Sequence, residues 1–206
     1  MRTLLTFSLL FFSFALTGQT QNDQVIQKLK EKYSGQKDIK CQISVKVEVE
    51  GIHIPEKKIY VEFQKGKKPV IKGEGLLLLP KKGTADQLAE LLSSNFQAIF
   101  LQKKEAAVWY KLVSLDPESD WITADIWFTE KNYDIIETIV NSKKHGTFSA
   151  LYTYSDKEMP IKSVITFDVK KFKLPLKFIG REQGLTEYPE NDKVSTGKIT
   201  LNYIYQ

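Results

Sequence analysis

The sequence predicts a mainly β protein with a few helices, built from antiparallel strands that are apolar on one face and polar on the other. Residues 39–50 alternate strictly between apolar and polar side chains, which is the period of a half-buried strand. About ten such segments occur, many joined by short polar connections such as residues 130–134, as in an antiparallel meander. The apolar face of such a sheet needs a second sheet, closure on itself or an apolar ligand to cover it.

Two helices are predicted. Residues 22–34 form the first, because Val25, Leu29 and Tyr33 recur at helical spacing. The second starts at a capping box of Thr84 and Gln87 and ends near residue 94. Its apolar stripe consists of Leu88, Leu91 and Leu92.

The strands are predicted at residues 39–50, 57–64, 70–79, 96–102, 106–115, 121–129, 135–142, 147–154, 161–169 and 198–205. Residues 174–197 are rich in proline and glycine, so we expect a long excursion with little regular structure. An open barrel with the helices in its mouth satisfies this pattern. Alternation assigns an interior set to the late strands: Ile122, Ala124, Ile126, Phe128, Ile136, Thr138, Val140, Phe148, Ala150, Tyr152, Tyr154, Ile161, Ile165 and Phe167. Asp125 and Trp127 are expected on the opposite face.

The first 18 residues have the composition of a cleaved signal peptide. Arg2 precedes an apolar run at residues 4–16, which is too short to cross a membrane, and small residues follow it. A bacterial lipoprotein would carry a cysteine at the end of this run, but the single cysteine, Cys41, lies in the first predicted strand. We therefore expect residues 19–206 to form one soluble exported domain, with Cys41 as a small buried side chain.

The charge pattern argues against nucleic-acid binding. The formal net charge is +5, yet the only arginines are Arg2 and Arg181. The guanidinium groups that recognise phosphates and guanines are therefore scarce. The lysines cluster instead at predicted turns, where they keep strand edges soluble.

No set of catalytic or metal-ligating residues is evident, so we expect neither an enzyme nor a cofactor. His53 and His145 lie in predicted bends without a ligand at metal-site spacing, and both are expected to be exposed. The acidic residues Asp116, Glu118 and Asp120 lack the spacing of a calcium loop and indicate a solvated turn.

Residues 108–175 resemble the periplasmic outer-membrane lipoprotein carriers, the LolA-like family of lipoprotein-sorting proteins. The likeness rests on a hydrophobic strand at 124–128, an aromatic-rich strand at 148–154, a strand closing with Phe167, and the pair Leu174 and Pro175. Upstream, the signal peptide, the early helix and residues 75–84 agree in order.

The resemblance implies an incomplete, curved antiparallel β-barrel with helices covering its concave apolar face. It also implies a carrier that shields lipoprotein acyl chains or a similar lipid during transfer toward the outer membrane, as a monomer between an inner-membrane donor complex and an outer-membrane acceptor. The expected cavity residues are Val45, Val47, Phe63, Leu88, Leu91, Leu92, Ile126, Phe128, Val140, Phe148, Tyr152, Ile165 and Phe167.

One feature departs from the family pattern. Its best-studied carriers hold the helical lid with an arginine on an early strand, and this chain has no arginine between Arg2 and Arg181. Lys46 or Lys58 would have to replace it, without the forked hydrogen bonds of a guanidinium. The cargo could also be a glycolipid or a polyene pigment precursor. A secreted β-sandwich with an interaction or structural role and a small outer-membrane barrel are the alternative interpretations.

Overall fold

The computed structural model describes residues 24–34, 38–49, 54–63, 70–73, 85–155, 159–169 and 196–206. The predicted signal peptide, His53, Thr84 of the capping box and nearly all of the excursion at 174–197 lie outside these residues. The described chain is mainly β, with two helices and ten strands that form one antiparallel sheet. This confirms the predicted fold class.

The elements follow the predicted order. They are α1 (Gln24–Ser34), β1 (Ile39–Glu48), β2 (Lys57–Phe63), β3 (Val70–Lys72), α2 (Ala85–Ser93), β4 (Phe96–Lys104), β5 (Ala107–Ser114), β6 (Trp121–Thr129), β7 (Ile135–Ser142), β8 (Gly146–Tyr154), β9 (Pro160–Asp168) and β10 (Thr196–Tyr205). Only the first part of the predicted strand 70–79 is described.

The sheet is one meander with its last strand joined to its first. The strand order is β3-β2-β1-β10-β9-β8-β7-β6-β5-β4, and every neighbouring pair is antiparallel. Within the described chain β3 and β4 are the two edges, so the sheet is an incomplete curved barrel. The chain between β3 and β4 connects opposite edges, and α2 belongs to this connection.

The core lies on one face of the sheet, between the strands and the two helices. In β1, side chains at odd positions from Cys41 to Val49 are buried, while those between them are half-buried or exposed. Ile26 and Leu29 of α1 join the same apolar cluster. The leucine stripe of α2 is buried there as well, as predicted.

Three interior assignments in the late strands are wrong, and each falls on a β-bulge. Ile122 and Ile161 are exposed by 47% and 39%, and Ile136 is only half-buried. Each is the extra residue where the pairing register shifts, so it is rotated out of the alternation. Trp121 and Ile135 take the interior positions beside Ile122 and Ile136.

Candidate functional site

The concave apolar face collects the side chains predicted to line a cavity. Those that the structure describes are all buried in one cluster: Val45, Val47, Leu88, Leu91, Leu92, Ile126, Phe128, Val140, Phe148, Tyr152, Ile165 and Phe167. Phe63 lies in β2 opposite Ile39 of β1, and the structure describes its backbone but not its side chain. The predicted residues therefore share one face, which is covered by α1 and α2.

The strand register explains why these residues meet. Neighbouring strands pair Val140 with Phe148, and Phe148 with Phe167, so interior side chains stand beside one another across the sheet. The four phenylalanines of the interior, Phe96, Phe128, Phe148 and Phe167, are among the largest fully buried side chains. They give the face a broad aromatic and aliphatic surface.

The C-terminal turn of α1 attaches the helix to the sheet through polar contacts. Lys32 forms an ion pair with Asp134, and its Nζ donates to the Asn132 carbonyl oxygen at 2.7 Å. The Ile135 amide donates to the Tyr33 hydroxyl at 2.9 Å, and the Tyr33 and Tyr154 hydroxyl oxygens are 3.1 Å apart. We call this set the α1 latch: Lys32, Tyr33, Asn132, Asp134, Ile135 and Tyr154.

Neither lysine considered as a substitute for the family's arginine faces the helices. Lys46 lies on the outer face of β1, where its Nζ donates to Glu48 at 3.1 Å. Lys58 is exposed on β2. Side chains at even positions of β1 point away from the helices, so that prediction is wrong. The α1 latch was missed because its polar residues lie in a helix and a connection far apart in sequence.

Tyrosines gather where the α1 latch meets the sheet. Tyr33, Tyr152, Tyr154, Tyr203 and Tyr205 form this tyrosine cluster. Burial raises the pKa of every member, and that of Tyr203 reaches about 12. All five phenols are therefore protonated at neutral pH and can donate hydrogen bonds.

Two hydroxyl groups in this region make no hydrogen bond among the described residues. They are the Tyr152 Oη and the Ser163 Oγ. Tyr152 is 7% exposed and Ser163 is fully buried. The alternation of β9 placed an apolar set inside and missed Ser163, because serine is typical of the polar face.

The outer face carries a separate aromatic and charged group. Trp109 and Trp127 stack with their ring centroids 4.9 Å apart. Asp125 accepts hydrogen bonds from Trp109 Nε1 at 3.0 Å and from Lys111 Nζ at 2.7 Å. Asp125 and Trp127 thus lie on the predicted face, although Asp125 is only 8% exposed because its two partners cover it.

The acidic residues, the histidine and the cysteine that the sequence offered for catalysis or metal binding make contacts typical of turns and of the core. Within the described ranges, no group of three or more His, Cys, Asp or Glu could hold a metal ion. The Asp116 carboxylate accepts from the Glu118 amide at 2.9 Å, which stabilises a turn. His145 is half-buried rather than exposed, and its amide donates to the Ser142 hydroxyl. Cys41 is buried as predicted, and burial raises the pKa of its thiol to about 11.

In the part of the chain that the structure describes, neither helix is long and apolar enough to cross a membrane.

Comparisons with known proteins identify the fold. No protein-family model matches the sequence, and no curated protein matches it. The crystal structure of a LolA superfamily protein, NE2245 from Nitrosomonas europaea, is similar with a TM-score of 0.51 and 10% identity, over 87% of this chain and 91% of that one. A domain assigned to outer membrane lipoprotein sorting, from Vibrio parahaemolyticus, has a TM-score of 0.41 and 12% identity, over 88% and 91% of the two chains. The chain has a LolA-like fold, as the resemblance implied.

Proposed function

We propose that this protein is a periplasmic carrier that shields lipoprotein acyl chains, or a similar apolar lipid, on its concave face during transfer toward the outer membrane. The observation that carries the proposal is a broad apolar face that is covered, among the described residues, by two short helices, of which α1 is attached by a small polar latch. The LolA-like fold supports it at the level of architecture.

The energetics require a shield of this kind. Each methylene group exposed to water costs about 0.8 kcal/mol, so a long acyl chain does not cross an aqueous space unprotected. Reversible transfer also requires that the cost of opening be small. Acyl chains that replace α1 and α2 exchange one apolar contact for another, so the net change stays moderate.

The α1 latch suits a lid that opens. Its hydrogen bonds are each worth roughly 0.5–1.5 kcal/mol because water replaces them when the helix leaves. The Lys32 and Asp134 side chains of the ion pair keep 21% and 16% of their surface exposed, so water can reach the pair as the helix leaves. In this carrier the latch does the work that an arginine does in the best-studied relatives.

The remaining parts of the proposal concern location and partners. The predicted signal peptide supports export and cleavage, with residues 19–206 acting as a soluble monomeric domain. The cargo would arrive from an inner-membrane donor complex and leave to an outer-membrane acceptor. The chemistry is reversible binding without a covalent step, so neither an enzymatic activity nor a cofactor is part of it.

The proposal is tested by lipid binding of the purified mature protein. A fluorescent fatty-acid probe should bind with saturable emission and be displaced by lipid, and mass spectrometry should find lipid that co-purifies from the periplasm. A probe that shows neither an emission change nor retention at saturation would refute the carrier function. An interaction or structural role would then be favoured, although not as a two-sheet sandwich, because the described strands form one sheet.

A further inference from the structure

Strands β8 and β9 place two residues that carry hydroxyl groups side by side in the apolar core. Tyr152 and Ser163 are direct partners in the antiparallel register, and both face the helices. Side chains of such a pair start about 5 Å apart, so a ligand group lying between the two strands borders on both residues. On the other side of Ser163 lies Leu201 of β10, and Val45 of β1 follows, so the pair is set in an otherwise apolar row.

Neither hydroxyl has a hydrogen-bond partner among the described residues. Thr138 lies close enough to the Tyr152 hydroxyl, and Ser163 to the Tyr203 hydroxyl, to act against the rise in pKa of each phenol as a hydrogen-bonding neighbour would. Neither contact meets the distance and angle criteria of a hydrogen bond. A buried polar group without a partner is destabilising, and native proteins keep few of them. Two such hydroxyl groups on neighbouring residues, on the face proposed to bind lipid, indicate that a ligand atom accepts their hydrogen bonds.

The surroundings restrict that ligand atom to a neutral acceptor. Apart from the tyrosines, the buried polar or charged side chains of the described chain are Asp125, Thr138, Ser142, Ser163 and Thr200, and none is a cation. A carboxylate or phosphate placed here would be a buried anion without a counterion, which is strongly unfavourable. An ester or amide carbonyl oxygen carries no net charge and accepts two hydrogen bonds.

We infer that Tyr152 and Ser163 form a carbonyl subsite, which binds the neutral ester or amide carbonyl that joins an acyl chain to its head group. The inference rests on the proposed carrier function and refines it, because it distinguishes acylated cargo from free fatty acids and hydrocarbons. The aliphatic and aromatic side chains around the subsite hold the chain, and the two hydroxyls set the position of its first carbon.

The test compares ligands of equal length in displacing diphenylhexatriene, a fluorescent hydrocarbon, from the full mature protein. Methyl palmitate should displace the probe more effectively than octadecane or, at pH 8, heptadecanoate, whose chains contain the same number of atoms. Tyr152→Phe and Ser163→Ala should each reduce the preference for the ester over the alkane by about five- to tenfold, because each variant loses one hydrogen bond to the carbonyl oxygen. Tyr60→Phe, on the exposed outer face of β2, is the control and should keep the preference.

Thermal melting of the ligand-free variants provides the second readout. Tyr152→Phe and Ser163→Ala remove unsatisfied groups, so neither should lower the melting temperature. A carbonyl-labelled ester should show a lower carbonyl stretching frequency when bound to the parent than when bound to Tyr152→Phe. A parent protein that binds the ester and the alkane equally overturns the subsite alone. A parent that binds no probe overturns the carrier function and the subsite together.

Discussion

Burial raises the pKa of the Cys41 thiol and of the phenols in the tyrosine cluster. The thiol has an ordinary value of 9.0 and a folded value of about 11. In the unfolded chain these groups release protons at a lower pH than in the folded protein. Above pH 9 the unfolded state therefore binds fewer protons, and stability falls as pH rises.

We predict that the free energy of unfolding is unaffected by these groups near pH 7 and decreases progressively from about pH 9 to pH 11. Urea unfolding across this range measures the slope, and Cys41→Ala should make it shallower. Cys41 should also resist alkylation at pH 8 until the protein unfolds. A slope that is flat to pH 11 would contradict the burial of these groups.

Gly197 of β10 makes room for an aromatic ring of the core. A Cβ at this position would lie 2.5 Å from the Cε2 and Cζ atoms of Phe167 and 3.0 Å from Val169. We predict that Gly197→Ala lowers the free energy of unfolding by about 1–3 kcal/mol, because the packed ring has to move. Thr196→Ala, at an exposed neighbouring position, is the control in urea unfolding. Equal stability of the two variants would show that Phe167 adapts freely.

Helix α1 is the element whose attachment is expected to control binding. Tyr33→Phe keeps the ring but removes the contacts to Tyr154 and to the Ile135 amide. Because these contacts hold the helix on the sheet, the variant should melt at a lower temperature and bind the fatty-acid probe several-fold more tightly. Lys28→Met, at an exposed position of α1, should change neither quantity. A Tyr33→Phe variant that loses affinity would mean that the latch belongs to the bound state.

The elements themselves were largely predictable from the sequence, because strict alternation and short polar turns determine strands and their neighbours. The bulges were not. A bulge inserts one residue without changing the apolar pattern, so Ile122, Ile136 and Ile161 are indistinguishable in sequence from interior residues. Ser163 and the α1 latch were also missed, since their positions depend on pairing between segments distant in the chain.

The connection between the two edge strands carries helix α2. Within the described chain β3 and β4 are the two edges of the sheet, the chain between them includes α2, and α2 packs beside α1 on the apolar face. In the proposed carrier, both helices can therefore leave the apolar face without disturbing the strand pairing.

We therefore predict that lipid binding loosens the helices and leaves the sheet intact. Hydrogen–deuterium exchange should become faster in α1 and α2 when the probe is added, while β6 to β9 keep or increase their protection. Mass spectrometry of peptic fragments resolves these regions. Slower exchange in both helices on binding would contradict displacement of the lid and favour cargo held beneath closed helices.

The stacked tryptophans on the outer face, Trp109 and Trp127, form an intrinsic spectroscopic probe. The chain has three tryptophans, and Trp109 and Trp127 stack on the side away from the helices. Trp121 is instead buried edge-on against Phe96, whose ring also lies beneath Lys30 of α1. Exciton coupling in circular dichroism therefore reports the integrity of the barrel wall. Departure of α1 changes the surroundings of Trp121 and leaves those of the stacked pair unchanged. A shift in the total tryptophan emission with an unchanged exciton signal therefore indicates opening, whereas loss of both signals indicates unfolding.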